Sequence, residues 1–174
     1  MPPIQYKLHH TFDRAFPLFQ GQSSCTVTDA AGHVLFTVPR TRDTIVLMGQ
    51  KPVLRVTGSG WFARSYHLFA NGNEPIGVIR RNNRFLLSRG LALHHPNGHV
   101  LLHMRPQRYL KNDYVLSDGV QPCGAITGPT PATSWGNRDY TVVCTRDDLA
   151  MLALALVIVY NQEVQQHAPS PIIP

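Results

Sequence analysis

Charge is scarce in this sequence. Only 15% of its 174 residues are Asp, Glu, Lys or Arg, against about 25% in an average soluble domain. Acid is scarcer still: ten carboxylates face sixteen Lys and Arg, giving a formal charge of +6 and a pI near 9.6. The one close carboxylate pair, Asp147-Asp148, precedes an apolar run, where capping and charge-matching a helix N-terminus explains it better than acid–base work. Three cysteines, Cys25, Cys123 and Cys144, form an odd count without C-x-x-C spacing. That argues against a disulfide framework and fits a reducing compartment, with one bridge plus a free thiol as the alternative. Long hydrophobic runs are also missing: Leu149 to Tyr160 is apolar throughout, but about twelve residues reach ~18 Å where a bilayer core needs ~30 Å. The first ten residues contain no continuous apolar segment of the secretory kind. A cytoplasmic location, with peripheral membrane contact at most, is the expectation.

Recognisable catalytic machinery is also missing. There is no Gly-x-Ser-x-Gly elbow. Gly58-Ser-Gly60-Trp61 lacks the Lys-Ser/Thr ending of a phosphate loop and reads as a wide turn. The adjoining Trp61-Phe-Ala-Arg64 reads as a buried Trp61 or, alternatively, as an aromatic and basic tip suited to a membrane interface. Cys25 and Cys144 fall in strand-like runs, where a small buried thiol is commoner than a nucleophile. Of nine histidines, His94, His95, His99 and His103 lie closest together. His99 and His103 would share one strand face, with His94 or His95 opposite. Zinc requires about four converging ligands, so structural or solvent-facing histidines are expected. The reading is of no enzyme, no metal and no cofactor.

What is present is a succession of short strands. Cys25–Asp29 and His33–Val38 flank Ala30-Ala31-Gly32 as a hairpin. Tyr66–Ala70 and Ile76–Arg80 flank Asn71-Gly72-Asn73, and Leu91–His94 and His99–Met104 flank Pro96-Asn97-Gly98. Gly32-His-Val-Leu-Phe-Thr-Val38 and Gly98-His-Val-Leu-Leu-His-Met104 are near copies, implying one hairpin device used twice. Tyr6–His10, Thr44–Met48, Val53–Thr57, Tyr114–Leu116, Gly124–Thr127 and Tyr140–Thr145 complete about twelve strands. That exceeds the ~10 at which open sheets curl or close. A closed antiparallel barrel so wide needs an interior filler. A helix over residues 148–162, with no polar stripe, is the candidate. The expectation is a mainly β single domain over residues 1–166, with residues 128–134 loop-like and a frayed Pro-rich tail at 167–174.

The basic excess clusters at Arg80-Arg81-Asn82-Asn83-Arg84 with Arg89, and again at Arg105, Arg108 and Lys111. A solvated strand end is one reading. A site for acidic lipid headgroups or another polyanion is the other, since arginine forks match phosphate geometry.

Thr26-Val-Thr-Asp-Ala-Ala-Gly-His-Val-Leu-Phe-Thr-Val38, Asn97-Gly-His-Val-Leu101, and Tyr140-Thr-Val-Val143 followed by Asp147-Asp148 and the apolar run occur in an order that resembles the LURP-one-related proteins. These belong to the Tubby C-terminal-like superfamily, which also includes the phospholipid scramblases. The resemblance spans about residues 19–163. It implies a barrel of about twelve strands around a hydrophobic C-terminal helix, and phosphoinositide binding or lipid movement as activities. The chain departs from scramblases in lacking a proline-rich N-terminal extension and an EF-hand-like acidic segment. The leading expectation is a non-enzymatic module binding anionic headgroups through Arg80, Arg81, Arg84, Arg89, Arg105 and Arg108. A scramblase-like activity, a protein-interaction scaffold and nucleic-acid binding are the alternatives.

Overall fold

The computed structural model describes residues 3–12, 23–39, 44–58, 65–71, 73–81, 90–107, 113–128 and 138–166. The chain forms β1 (Ile4–Phe12), β2 (Ser23–Thr28), β3 (Val34–Val38), β4 (Thr44–Met48), β5 (Lys51–Gly58), β6 (Ser65–Ala70), β7 (Glu74–Arg81), β8 (Leu91–His94), β9 (Val100–Pro106), β10 (Asp113–Ser117), β11 (Pro122–Thr127) and β12 (Arg138–Cys144), then α1 (Asp147–Gln166). Each strand pairs antiparallel with its neighbours in sequence. β1 closes the ring by pairing β12 as well as β2, with Lys7 opposite both Thr141 and Thr28. This is the closed barrel the strand count implied. The expected tail at 167–174, the Trp61–Arg64 tip and most of the 128–134 loop lie outside the described residues.

Alternation decides which side chains face inward. In β10, Tyr114 and Leu116 are buried while Val115 and Ser117 are partly open; in β12, Arg138, Tyr140, Val142 and Cys144 are the buried set. Leu8, Val27, Val46, Leu68, Ile79, Leu93, Leu102, Leu116 and Val142 reach zero exposure. The filler they meet is α1. Ala153, Leu154, Ala155, Leu156 and Val157 are consecutive and fully buried. At ~100° per residue, five in a row cover the whole helix circumference. Strands therefore surround the helix, which touches β12, β1, β5, β8 and β9. Each aliphatic side chain so buried contributes ~1.5–3 kcal/mol.

The helix is longer than the sequence suggested and less uniformly enclosed. Met151 and Leu152 are only partly buried, so its first turns sit at the barrel mouth. Deeper in, the Tyr160 ring meets Tyr114 and Tyr140 edge-on, at 5.0 and 6.3 Å between centroids. The Tyr140 hydroxyl donates to Asn161 Oδ1 at 3.3 Å.

The two ends of the barrel differ. Short turns at residues 29–33, 49–50, 95–99 and 118–121, the β6–β7 connection, and the step from β12 into α1, all lie at one end. The repeated hairpin is a repeated geometry. Gly32 N–H donates to the Asp29 carbonyl and Asp29 N–H to that of His33. Gly98 and His95 do the same with His95 and His99. Gly32 and Gly98 have φ of 92° and 93°, a region that favours glycine. One expectation is corrected here. Because the turn takes in His99, β9 starts at Val100, and the ladder slips between Leu93 and His94. His99 therefore does not join His103 on a strand face.

A second device also occurs twice. Pro75-Ile-Gly77 and Pro122-Cys-Gly124 each hold a bulge: Leu68 pairs Gly77 while Phe69 pairs Pro75, and Leu116 pairs Gly124 while Ser117 pairs Pro122. The middle residue is the extra one. A Cβ on either glycine would run into the carbonyl of the following strand, that of His94 or Val143.

The helix entrance is tied down by Arg146. Its guanidinium grips Asp148 through two bonds, Nε–Oδ1 at 3.1 Å and Nη2–Oδ2 at 2.6 Å, and reaches Asp118 Oδ2 at 2.8 Å in the β10–β11 turn. Asp147 and Asp148 thus lie in the first helical turn, facing the positive end of the helix dipole. The Arg146 bonds hold the Asp148 carboxyl below its ordinary range. Asp118 is lowered first by the backbone N–H groups of Gln121 and Val120, then by Arg146. A carboxylate whose pKa is depressed on folding stabilises the protein above its unfolded value of about 3.9, and that contribution is lost as pH falls through the folded value. The thermal midpoint is expected to fall below about pH 4, and Arg146→Ala to lower it at neutral pH but progressively less in acid. Parallel melting curves of the two proteins across pH 7 to 2.5 would contradict this.

Candidate anion-binding surface

The outward sides of β7, β8 and β9 bring predicted site residues together. Arg80 pairs Ala92, Ala92 pairs His103, Ser65 lies beyond Arg80 and Ser117 beyond His103. The result is one cross-strand row, Ser65–Arg80–Ala92–His103–Ser117, with Arg105 two residues along β9 on the same face. Strands ~4.8 Å apart put Arg80 and His103 roughly 10 Å apart at the backbone, with only a methyl group between them. Ala92 itself is fully buried, while Arg80 and Arg105 are exposed. Burial, then Arg105 and His94, lowers the His103 pKa. At neutral pH this histidine is uncharged, and the positive charge of the row is arginine.

Arg81 is exposed at the last position of β7, opposite Leu91. Arg84, Arg89 and Arg108, with Lys111, lie outside the described residues. Of the six predicted site arginines, the fold brings Arg80, Arg81 and Arg105 to one end of the barrel wall.

Charge is segregated along the barrel axis, which residue-by-residue reading missed. The end with the short turns carries Asp29, Glu74, Asp118, Asp147 and Asp148 against Lys51 and Arg146. Toward the opposite end lie Arg80, Arg81, Arg105 and Arg138, against Asp113 and Asp139. In the sequence alone, the stretches between odd-numbered strands and the strands that follow them hold Arg14, Arg40, Arg42, Arg64, Arg84, Arg89, Arg108 and Lys111 against Asp13 and Asp43. In a meander, every second connection falls at the same end. Assigning basic residues to odd-numbered connections would have exposed the pattern from sequence.

Arg81 alternates with Arg80 and shares the register of inward-facing Ile79 and Leu91, so it is at this end but not on this face, and two other arginines do not belong to the face either. Arg138 points inward, is 6% exposed and bonds the Tyr140 hydroxyl. Arg55 lies on the outer wall of β5 with its guanidinium 4.8 Å above the Phe69 ring centre, a cation–π contact on another part of the circumference.

Among the described residues, no three His, Cys, Asp or Glu side chains converge as ligands for an ion. No helix among them is long and apolar enough to cross a membrane. No protein-family model matches the chain, and no curated protein matches it.

Proposed function

We propose that this protein is a non-enzymatic binding module for anionic membrane headgroups, engaged by the arginine-bearing end of the barrel. The observation that supports the reading is the axial imbalance of charge, with Arg80, Arg81, Arg105 and Arg138 outnumbering Asp113 and Asp139 at one end while Asp29, Glu74, Asp118, Asp147 and Asp148 outnumber Lys51 and Arg146 at the other. A dipolar barrel approaches an anionic surface with its basic end leading, which both attracts and orients it. Each basic residue near such a surface adds ~1 kcal/mol, so attachment is reversible and weakened by salt. The resemblance to LURP-one-related and Tubby-like proteins points to the same class of ligand. The enclosed position of α1 favours surface binding over lipid translocation, since inserting the helix would require opening the barrel.

The test is co-sedimentation with phosphatidylcholine vesicles containing phosphatidylinositol bisphosphate or phosphatidylserine. Binding is expected at low salt, declining steeply by 0.5 M, and Arg80→Glu/Arg105→Glu is expected to reduce it at least tenfold while the melting curve is preserved. Equal binding by the double variant, or binding to single-stranded DNA with no response to these vesicles, would overturn the reading.

A further inference from the structure

The β11 bulge sets one cysteine against another. Leu116 pairs Gly124 and Ser117 pairs Pro122, so Cys123 is the extra residue, and it is 2% exposed. Cys144 ends β12 opposite Gly124 and is fully buried. Thr145 holds the two segments in place: its N–H and its Oγ1 both donate to the Cys123 carbonyl, at 2.9 and 3.0 Å. The Cys144 thiol donates to the Arg146 carbonyl at 3.2 Å, and Cys123 is the residue next to Gly124, the cross-strand partner of Cys144, with both cysteine side chains buried. Cys25 is at the start of β2, opposite His10 and Val38 near the other end of the barrel.

We propose that Cys123 and Cys144 form a reversible intramolecular disulfide when the protein meets hydrogen peroxide. The Cys123 sulfur, as thiolate, attacks a peroxide oxygen and breaks the O–O bond, giving a sulfenic acid; the departing hydroxide takes up the thiol proton as water. The Cys144 sulfur then attacks the sulfenic sulfur and its S–O bond breaks. The second hydroxide leaves with the Cys144 proton as water. Two thiols lose two electrons and one peroxide becomes two waters. Burial raises the Cys123 thiol to about 11, with Cys144 and Asp118 adding to it and Arg146 opposing. Thiolate is therefore scarce at neutral pH and the reaction is slow. The bridge would fasten the bulge to the strand that leads into α1, beside the Arg146 clamp, and should raise the thermal midpoint.

The experiment treats the folded full chain with hydrogen peroxide at neutral pH and follows it by intact mass, thiol titration and non-reducing peptide mapping. The expected product is lighter by two hydrogens, has one titratable thiol in place of three, yields a peptide linking Cys123 to Cys144, and melts at higher temperature. Dithiothreitol should restore it. Cys25→Ser should form the same bridge, and Cys123→Ser, which alters only the bulge, should not. Retention of all thiols while folded, a link involving Cys25, or sulfinic and sulfonic products without a bridge would overturn the proposal.

Discussion

Leu156→Asp is expected to yield no folded protein. Leu156 sits in the fully buried stretch of α1, with strands on every side and zero exposure. The leucine would be replaced by a carboxylate with no cation among its apolar neighbours Ala153, Ala155, Val157 and Val159. Burying an uncompensated charge costs several kcal/mol even after relaxation. Losing the leucine adds the ~2–5 kcal/mol typical of a large-to-small core change. Against a total stability of ~5–15 kcal/mol, the sum removes most or all of the margin. Leu152→Asp provides the contrast. The sequence places Leu152 and Leu156 in the same apolar run and predicts equal damage, but Leu152 is only partly buried near the mouth. Its carboxylate can reach water, and a folded, destabilised protein is expected. Soluble yield and a cooperative melt followed by circular dichroism distinguish the two. A Leu156→Asp protein that melts like the parent would mean that the helix is not the core.

The contrast between these leucines shows where sequence reading stops. That the helix fills the barrel was legible because a surface helix shows a polar stripe and this one has none. Which turn of it reaches the mouth was not, because periodicity carries no depth: Met151-Leu152 and Leu154-Ala155-Leu156 are alike in being wholly apolar. The strands were legible for a similar reason, since alternation and turn chemistry are local. Their ends were less so, and His99 shows why. It extends an alternating pattern, yet its carbonyl is used by His95 N–H to close the turn. The site was half legible. Arg80 and Arg105 were named from clustering alone, but their sharing of one face depends on the register Arg80–Ala92–His103. That register is set by a pairing between strands that no single stretch encodes. Arg138 had only the alternation of Tyr140 and Val142 carried two residues back as a signal, and the fold turns it inward on the same face as Tyr140.

Gly77→Ala and Gly124→Ala should each destabilise the barrel by about 3 kcal/mol, and Gly98→Ala by about 1 kcal/mol. The ranking runs against backbone conformation, because Gly98 has a φ of 93° while the other two do not adopt a positive φ. Space reverses the order. A methyl at Gly98 meets nothing within 4 Å, so its cost is the left-handed strain alone. At Gly77 the methyl would enter the His94 carbonyl, with the Leu93 side chain also close. At Gly124 it would enter the Val143 carbonyl, with Leu116 beside it. Backbone cannot rotate away as a side chain can. The strands must part at the bulge, lengthening the ladder bonds of β7 with β8 or of β11 with β12. Because the two bulges share the Pro-x-Gly pattern and the same relation to the next strand, the two substitutions should behave alike and add when combined, the sites lying in separate strand pairs. Urea denaturation midpoints at constant slope measure this. Gly98→Ala proving the most damaging of the three would show that turn conformation, and not strand approach, is what these glycines supply.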